Sequence, residues 1–174
     1  MAVAGPCQEL HPTPICSGRK GPMPNPSENI KDAEPALRTV IDVLLDCQAG
    51  LRTIGDRLKD ESLRRFFLAE SLKRARFRGD IQSLLHGHGV HDILQTAHFG
   101  VTVPHAWADF KSMSNDGDHS LLETAEEGEN AAQKAYSNLL KQYLPLALRQ
   151  LLSKQAEHIQ MSHDHIRTAC NACP

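Results

Sequence analysis

From Ala33 onward, apolar residues recur at spacings of three and four: Leu37, Val40, Ile41, Leu44, Leu51, Ile54 and Leu58. Asp42, Asp46, Thr53 and Asp56 fall on the opposite face. That period is helical, and Pro35 suits a first turn, where a missing amide hydrogen costs nothing. A first amphipathic helix is predicted over about 33–58. Asp60 is placed to cap a second, whose stripe is Leu63, Phe66, Phe67, Phe77, Ile81, Leu84 and Leu85 and whose end is marked by Gly87 and Gly89. Ser120 and Glu123 have capping-box spacing ahead of a third helix, with Leu122, Ala125, Ala132, Tyr136 and Leu139 on one face. Pro145 restarts the chain as a fourth helix carrying Leu148, Leu151, Leu152, Ile159 and Ile166.

The connections suggest how the helices pair. About two residues join the first two helices and only a few join the last two, so each pair is expected to form an antiparallel hairpin. Between the hairpins lies a long stretch, His88 to His119, in which Thr102, Pro104, Trp107 and Phe110 suggest a short helix. Ahead of the first helix, residues 1–31 hold Pro6, Pro12, Pro14, Pro22, Pro24 and Pro26 with few large apolar residues, the pattern of a flexible tail. The expected architecture is all-α: one domain over 32–172, two hairpins joined by a long crossover. That is the connectivity of ferritin-like four-helix bundles.

Composition sharpens this picture. Aromatics are only 5% of the 174 residues, so Leu and Ala must fill the core, which favours packed helices over a sheet sandwich. Lys and Arg number 19 against 21 Asp and Glu, a net charge of −2, which argues against a dedicated nucleic-acid or membrane-surface binder. No stretch is apolar enough to cross a bilayer, and the N-terminus has neither a basic start nor a following apolar block, so the expected location is cytoplasmic. Cys7, Cys16, Cys47, Cys170 and Cys173 are odd in number and scattered, and are expected to be free thiols.

Polar residues interrupt every stripe at mid-height. Gln48 lies between Leu44 and Leu51 on the first helix, and Glu70 and Arg74 precede Phe77 on the second. Glu129 precedes Ala132 on the third, with Glu126 adjacent, and Gln155 and then Ser162 or His163 follow Leu152 on the fourth. A buried charge costs several kcal/mol unless paired, as a rough guide, so something must satisfy these groups. A carboxylate-bridged metal pair would use a Glu from each of two helices and Glu-x-x-His from the other two. That set is missing: Glu157 is followed three residues on by Gln160, and His163 is preceded at that spacing by Gln160. Arg74 also brings a fixed positive charge to the layer. The expectation is an ion-pair network of Arg74 with Glu129, Glu126 or Glu70, flanked by His163, Gln48 and Gln155, with no cofactor. The alternative is iron or manganese held by Glu126, Glu129 and His163, with Glu70.

The same residues carry a family resemblance. The run Glu126-Glu127-Gly128-Glu129-Asn130-Ala131-Ala132-Gln133-Lys134-Ala135-Tyr136 resembles the E-x-G-E-D-x-A-x-x-x-Y signature of a bacterial ferritin-like four-helix-bundle family of unknown function. Gln155 followed by His163-Asp164-His165-Ile166-Arg167 is similar to its Q...H-D-x-I-R ending. Phe67, Ser71, Arg74, Phe77, Trp107, Lys111, Asp46 and Gly50 agree in order, over about residues 35–169. The resemblance implies the bundle architecture and, through the superfamily, an ancestral carboxylate metal site; it implies no activity. Departures are Gln48 at an often acidic position, Cys47 for Gly and Asn130 for Asp. Gly50 and Gly128 suit a close approach of neighbouring helices.

Other chemistry is sparser. His86, His88 and His91, with His98 and His105, could bind zinc, copper or nickel, but read more simply as a helix C-terminus closed by glycine. Cys170-Asn171-Ala172-Cys173 is a C-x-x-C lacking the context of a thioredoxin site or zinc ribbon; closing a four-thiolate site would require Cys7 and Cys16. Tyr136 is expected to bring its hydroxyl to the polar layer. Arg64, Arg65, Lys73, Arg76 and Arg78 form a basic run that reads as a solvated face. No Walker loop, dinucleotide fingerprint, nucleophile elbow or H-E-x-x-H is present. The functional expectation is a non-enzymatic structural or interaction protein, partnered by another protein or a second copy and by neither nucleic acid nor membrane. The alternative is a metal-binding oxidoreductase or stress-protection bundle.

Overall fold

The computed structural model describes residue 1 and residues 30–89 and 117–173. Helices α1 (Glu34–Arg57), α2 (Glu61–Gly87), α3 (Asp118–Leu140) and α4 (Leu146–Ala172) account for nearly all of them. No strand occurs among the described residues. None of their helices is long and apolar enough to cross a membrane. Most of the expected tail and crossover, with Trp107 and His91, His98 and His105, lies outside the described residues.

Local chemistry sets the helix ends. Pro35 stands in the first turn of α1, and the Asp60 carboxylate accepts the Leu63 amide at 2.8 Å to open α2. Gly89, just past α2, takes a left-handed φ of 76°, as expected of the closing glycine. The third helix differs from its expected start. It begins at Asp118 after Gly117, with no side-chain cap, so Ser120 and Glu123 form no capping box. Instead the Asp118 carboxylate faces the Lys59 amide at 3.3 and 3.4 Å, tying the start of α3 to the α1–α2 turn. At the other end of α3, the Arg149 guanidinium donates to the carbonyls of Leu140 and Gln142, groups a helix terminus leaves unpaired.

α1 packs on α2 and α3 packs on α4; α1 also packs along α3, and α2 touches α4 over a shorter stretch. Each helix therefore has two principal neighbours, and α2 faces α3 across the diagonal. The α1–α2 turn, the start of α3 and the end of α4 share one end, since Lys59 meets Asp118 and Cys170 meets His119. The chain thus leaves α2 at one end and enters α3 at the other.

The apolar stripes meet as expected: Leu37, Leu44, Leu51, Ile54, Phe67, Ile81, Leu122, Leu139, Leu148, Leu152, Ile159 and Ile166 are buried. Burying each such side chain is worth about 1.5–3 kcal/mol, so these layers stabilise an interior that also holds charge. Ile30, ahead of the expected domain start, is fully buried as well. α1 and α2 approach closely at Gly55, where a Cβ would sit 3.1 Å from Leu68 Cγ and 3.2 Å from Phe67 Cβ.

Candidate functional site

Arg74 is the largest side chain that is completely buried among the described residues. It projects from the middle of α2 and reaches across the diagonal to α3, a span that suits a long side chain. Its Nη2 donates to both oxygens of Glu129, each at 2.8 Å, and its Nη1 donates to Glu70 Oε2 at 3.1 Å. Glu129 is fully buried too. A guanidinium with fixed charge and a planar fork suits this double contact, where Lys would offer a single point charge.

The two carboxylates have different surroundings. Burial pushes the Glu129 carboxyl up, and the Arg74 charge pulls it only part of the way back. Burial also pushes Glu70 up, but hydrogen bonds from Lys73 and His158 together with Arg74 outweigh it and hold the carboxyl below its ordinary value. Lys73 Nζ lies 2.8 Å from Glu70 Oε1, and His158 Nε2 lies 2.9 Å from Oε2. For Arg74, burial works against the charged form, and Glu129 and then Glu70 more than restore it. The guanidinium carbon also lies 5.7 Å from the Phe77 ring centroid, within cation–π reach.

Polar contacts extend from this centre to every helix. On α3, Tyr136 donates its hydroxyl to Gln155 Oε1 at 2.8 Å, and Gln155 Nε2 donates to the Phe77 carbonyl at 3.1 Å, so one α4 amide links α3 and α2. Ser71 donates to the Gln48 carbonyl at 2.8 Å, joining α2 to α1. Cys47 Sγ lies 3.6 Å from the Gly128 carbonyl, where α1 meets α3. Burial, then the Glu129 charge, pushes this thiol far up, so it stays protonated.

Among the expected layer residues, Arg74, Glu70, Glu129 and Gln155 share this interior. Glu126 does not reach Arg74; it faces His163, whose Nε2 lies 3.7 Å from Glu126 Oε1. His163 and Ser162 are both buried, and neither His163 Nε2 nor Ser162 Oγ has a hydrogen-bond partner. Gln48 joins the network through its backbone, while its Oε1 is buried without a partner. Beside His163 at Glu126, a second histidine meets a seam carboxylate, because His158 holds Glu70, and Cys47, a free thiol as expected, contacts the Gly128 carbonyl. His158 follows Gln155 by three residues, so its place on the inner face was readable from the helical period.

A family model described as a domain of unknown function, DUF2383, matches residues 32–142. The chain belongs to that family. The matched span takes in α1, α2 and α3, and with them Glu70, Arg74, Glu129 and Tyr136; Gln155, His158 and His163 on α4 lie beyond it. No curated protein matches the chain.

Proposed function

We propose that the chain is a ferritin-like four-helix bundle of structural or interaction role, non-enzymatic, in which the Arg74 guanidinium is the cation of the central layer. The observation that carries this reading is the fully buried contact of Arg74 with both oxygens of Glu129. The ferritin-like part draws support from direction: α1 and α2 form one short-turned pair, α3 and α4 the other, and the chain passes from one end of the molecule to the other between them. The partner in this reading is another protein or a second copy, met in the cytoplasm, with neither nucleic acid nor membrane involved.

The residues do not fit a carboxylate-bridged metal pair. Glu129 uses both oxygens on Arg74, and Glu70 is already held by Lys73, Arg74 and His158. Among the described residues, no three His, Cys, Asp or Glu converge as a ligand set. A second reading, iron or manganese at Glu126, Glu129 and His163 with Glu70, is favoured by the unpartnered His163 Nε2 beside Glu126. It requires Glu129 to give up Arg74. Elemental analysis of untagged protein purified without a nickel column separates the two. The guanidinium reading predicts iron and manganese well below one per chain, and a stoichiometric content of either would overturn it.

A further inference from the structure

At the end of the molecule remote from the Arg74 layer, Cys170 and Cys173 share the last turn of α4. Cys170 is buried, and Cys173 is half-buried. Cys173 lines a cleft of about 680 Å³ together with Leu63, Phe66 and His165, with Asp60 and Asp118 at its polar side. That volume falls within the roughly 300–1,000 Å³ typical of small-molecule sites. Behind Cys170 stands an imidazole: its Sγ lies 3.9 Å from His119 Nδ1, and His119 Nε2 lies 3.5 Å from Glu123 Oε1. The carboxylate favours the hydrogen on Nε2, leaving the Nδ1 lone pair facing the thiol, the thiol–imidazole–carboxylate order that activates a sulfur nucleophile.

We infer that Cys170 and Cys173 form a redox dithiol that reacts reversibly with a low-molecular-weight disulfide admitted by this cleft, with His119 as the base for ring closure. Cys173 attacks first because it reaches the cleft: it gives its proton to solvent, and its thiolate displaces one thiolate from the small disulfide, which takes up a proton, leaving a mixed disulfide. Cys170, whose thiol is held up by burial and then by the Glu123 and Glu126 charges, stays protonated until His119 Nδ1 takes its proton. Its sulfur then attacks Cys173, the intrachain S–S bond forms, and the second small thiolate leaves and is protonated. Two protein thiols are oxidised and one small disulfide is reduced to two thiols. On a helix, Cβ atoms three residues apart lie about 5–6 Å from each other, whereas a disulfide needs roughly 3.5–4.5 Å, so one residue must move. Cys173 is the residue placed to do so: it has already left helical geometry (φ −90°, ψ 116°), with its amide still bonded to the Ala169 and Cys170 carbonyls.

The test is incubation of the folded full chain with oxidised glutathione, alkylation of the remaining thiols, and peptide mapping by mass spectrometry over time. The expected result is an intrachain disulfide within the peptide carrying Cys170 and Cys173, while Cys47 is alkylated only after unfolding. Cys170→Ser should stop at the glutathione adduct on Cys173, and His119→Ala should slow ring closure by roughly 100-fold or more. A glutathione adduct that persists on wild-type Cys173, or pairing of Cys173 with Cys7 or Cys16, would overturn the dithiol. Ring closure at the wild-type rate in a His119→Ala chain of unchanged helicity would overturn the role of His119. Should that variant not fold, the wild-type map still decides the dithiol.

Discussion

Glu70 and Glu129 hold the same guanidinium from opposite sides, and their carboxyls move in opposite directions. On the α2 side, Glu70 is buried itself but borders Lys73 and His158, both reaching solvent, and its carboxyl is held low. On the α3 side, Glu129 has Arg74 as its hydrogen-bonding partner inside the apolar core, and burial leaves its carboxyl high despite that partner. One ion pair in the interior does not fully offset desolvation, whereas several donors near the surface do. The layer thus has a dry side that depends on Arg74 and a wet side with reserves.

Truncating the shared cation should break this comparison most severely. Arg74→Ala leaves Glu129 buried without its partner, while Glu70 keeps Lys73 and His158. The expected loss is about 3–5 kcal/mol in urea unfolding, most of it from the dry side. A loss below about 1 kcal/mol would mean that Glu129 finds another partner or water.

Glu70→Gln should cost less, about 1–2 kcal/mol at pH 7, because Gln can still accept from Arg74. Its sharper effect is on acid stability. A carboxyl lowered in the folded state adds stability above its unfolded value of 4.5 and loses it as pH falls through the folded value. Glu129, raised, has the opposite sign: the folded chain takes up its proton at a higher pH than the unfolded chain, so this group opposes acid unfolding just above 4.5. Glu70→Gln should therefore flatten the decline of stability below about pH 4.5, measured by urea midpoints against pH. An unchanged acid limb would show that Glu70 is not the low carboxylate.

Much of this layer was legible in the sequence because helical period is local. Arg74, Glu70, Glu129 and Gln155 all interrupt stripes whose other members are apolar, and a charge at such a position needs a partner. The choice among partners was not local. Glu126 and Glu129 are three residues apart on α3, and only the placement of α4 and α2 around it turns one toward His163 and the other toward Arg74. His158 escaped because Ile159 carries the apolar seam one residue later. Ser120 and Glu123 had the spacing of a cap, but the tie between Asp118 and the Lys59 amide, 59 residues away in sequence, accompanies a start three residues earlier. Cys47 meets the Gly128 carbonyl through the register of α1 against α3, which no periodicity within one helix encodes.

The central claim is that Arg74 and Glu129 act as one unit in the core, and a double-mutant cycle tests it most directly. Urea unfolding of the wild type, Arg74→Met, Glu129→Met and the double variant gives the coupling free energy. Arg74→Met strands Glu129 and should cost about 3–5 kcal/mol, Glu129→Met leaves Arg74 with Glu70 and should cost less, and the double, which strands neither member of the pair because Glu70 keeps Lys73 and His158, should cost no more than the worse single. Losses that add to within about 0.5 kcal/mol would contradict the account.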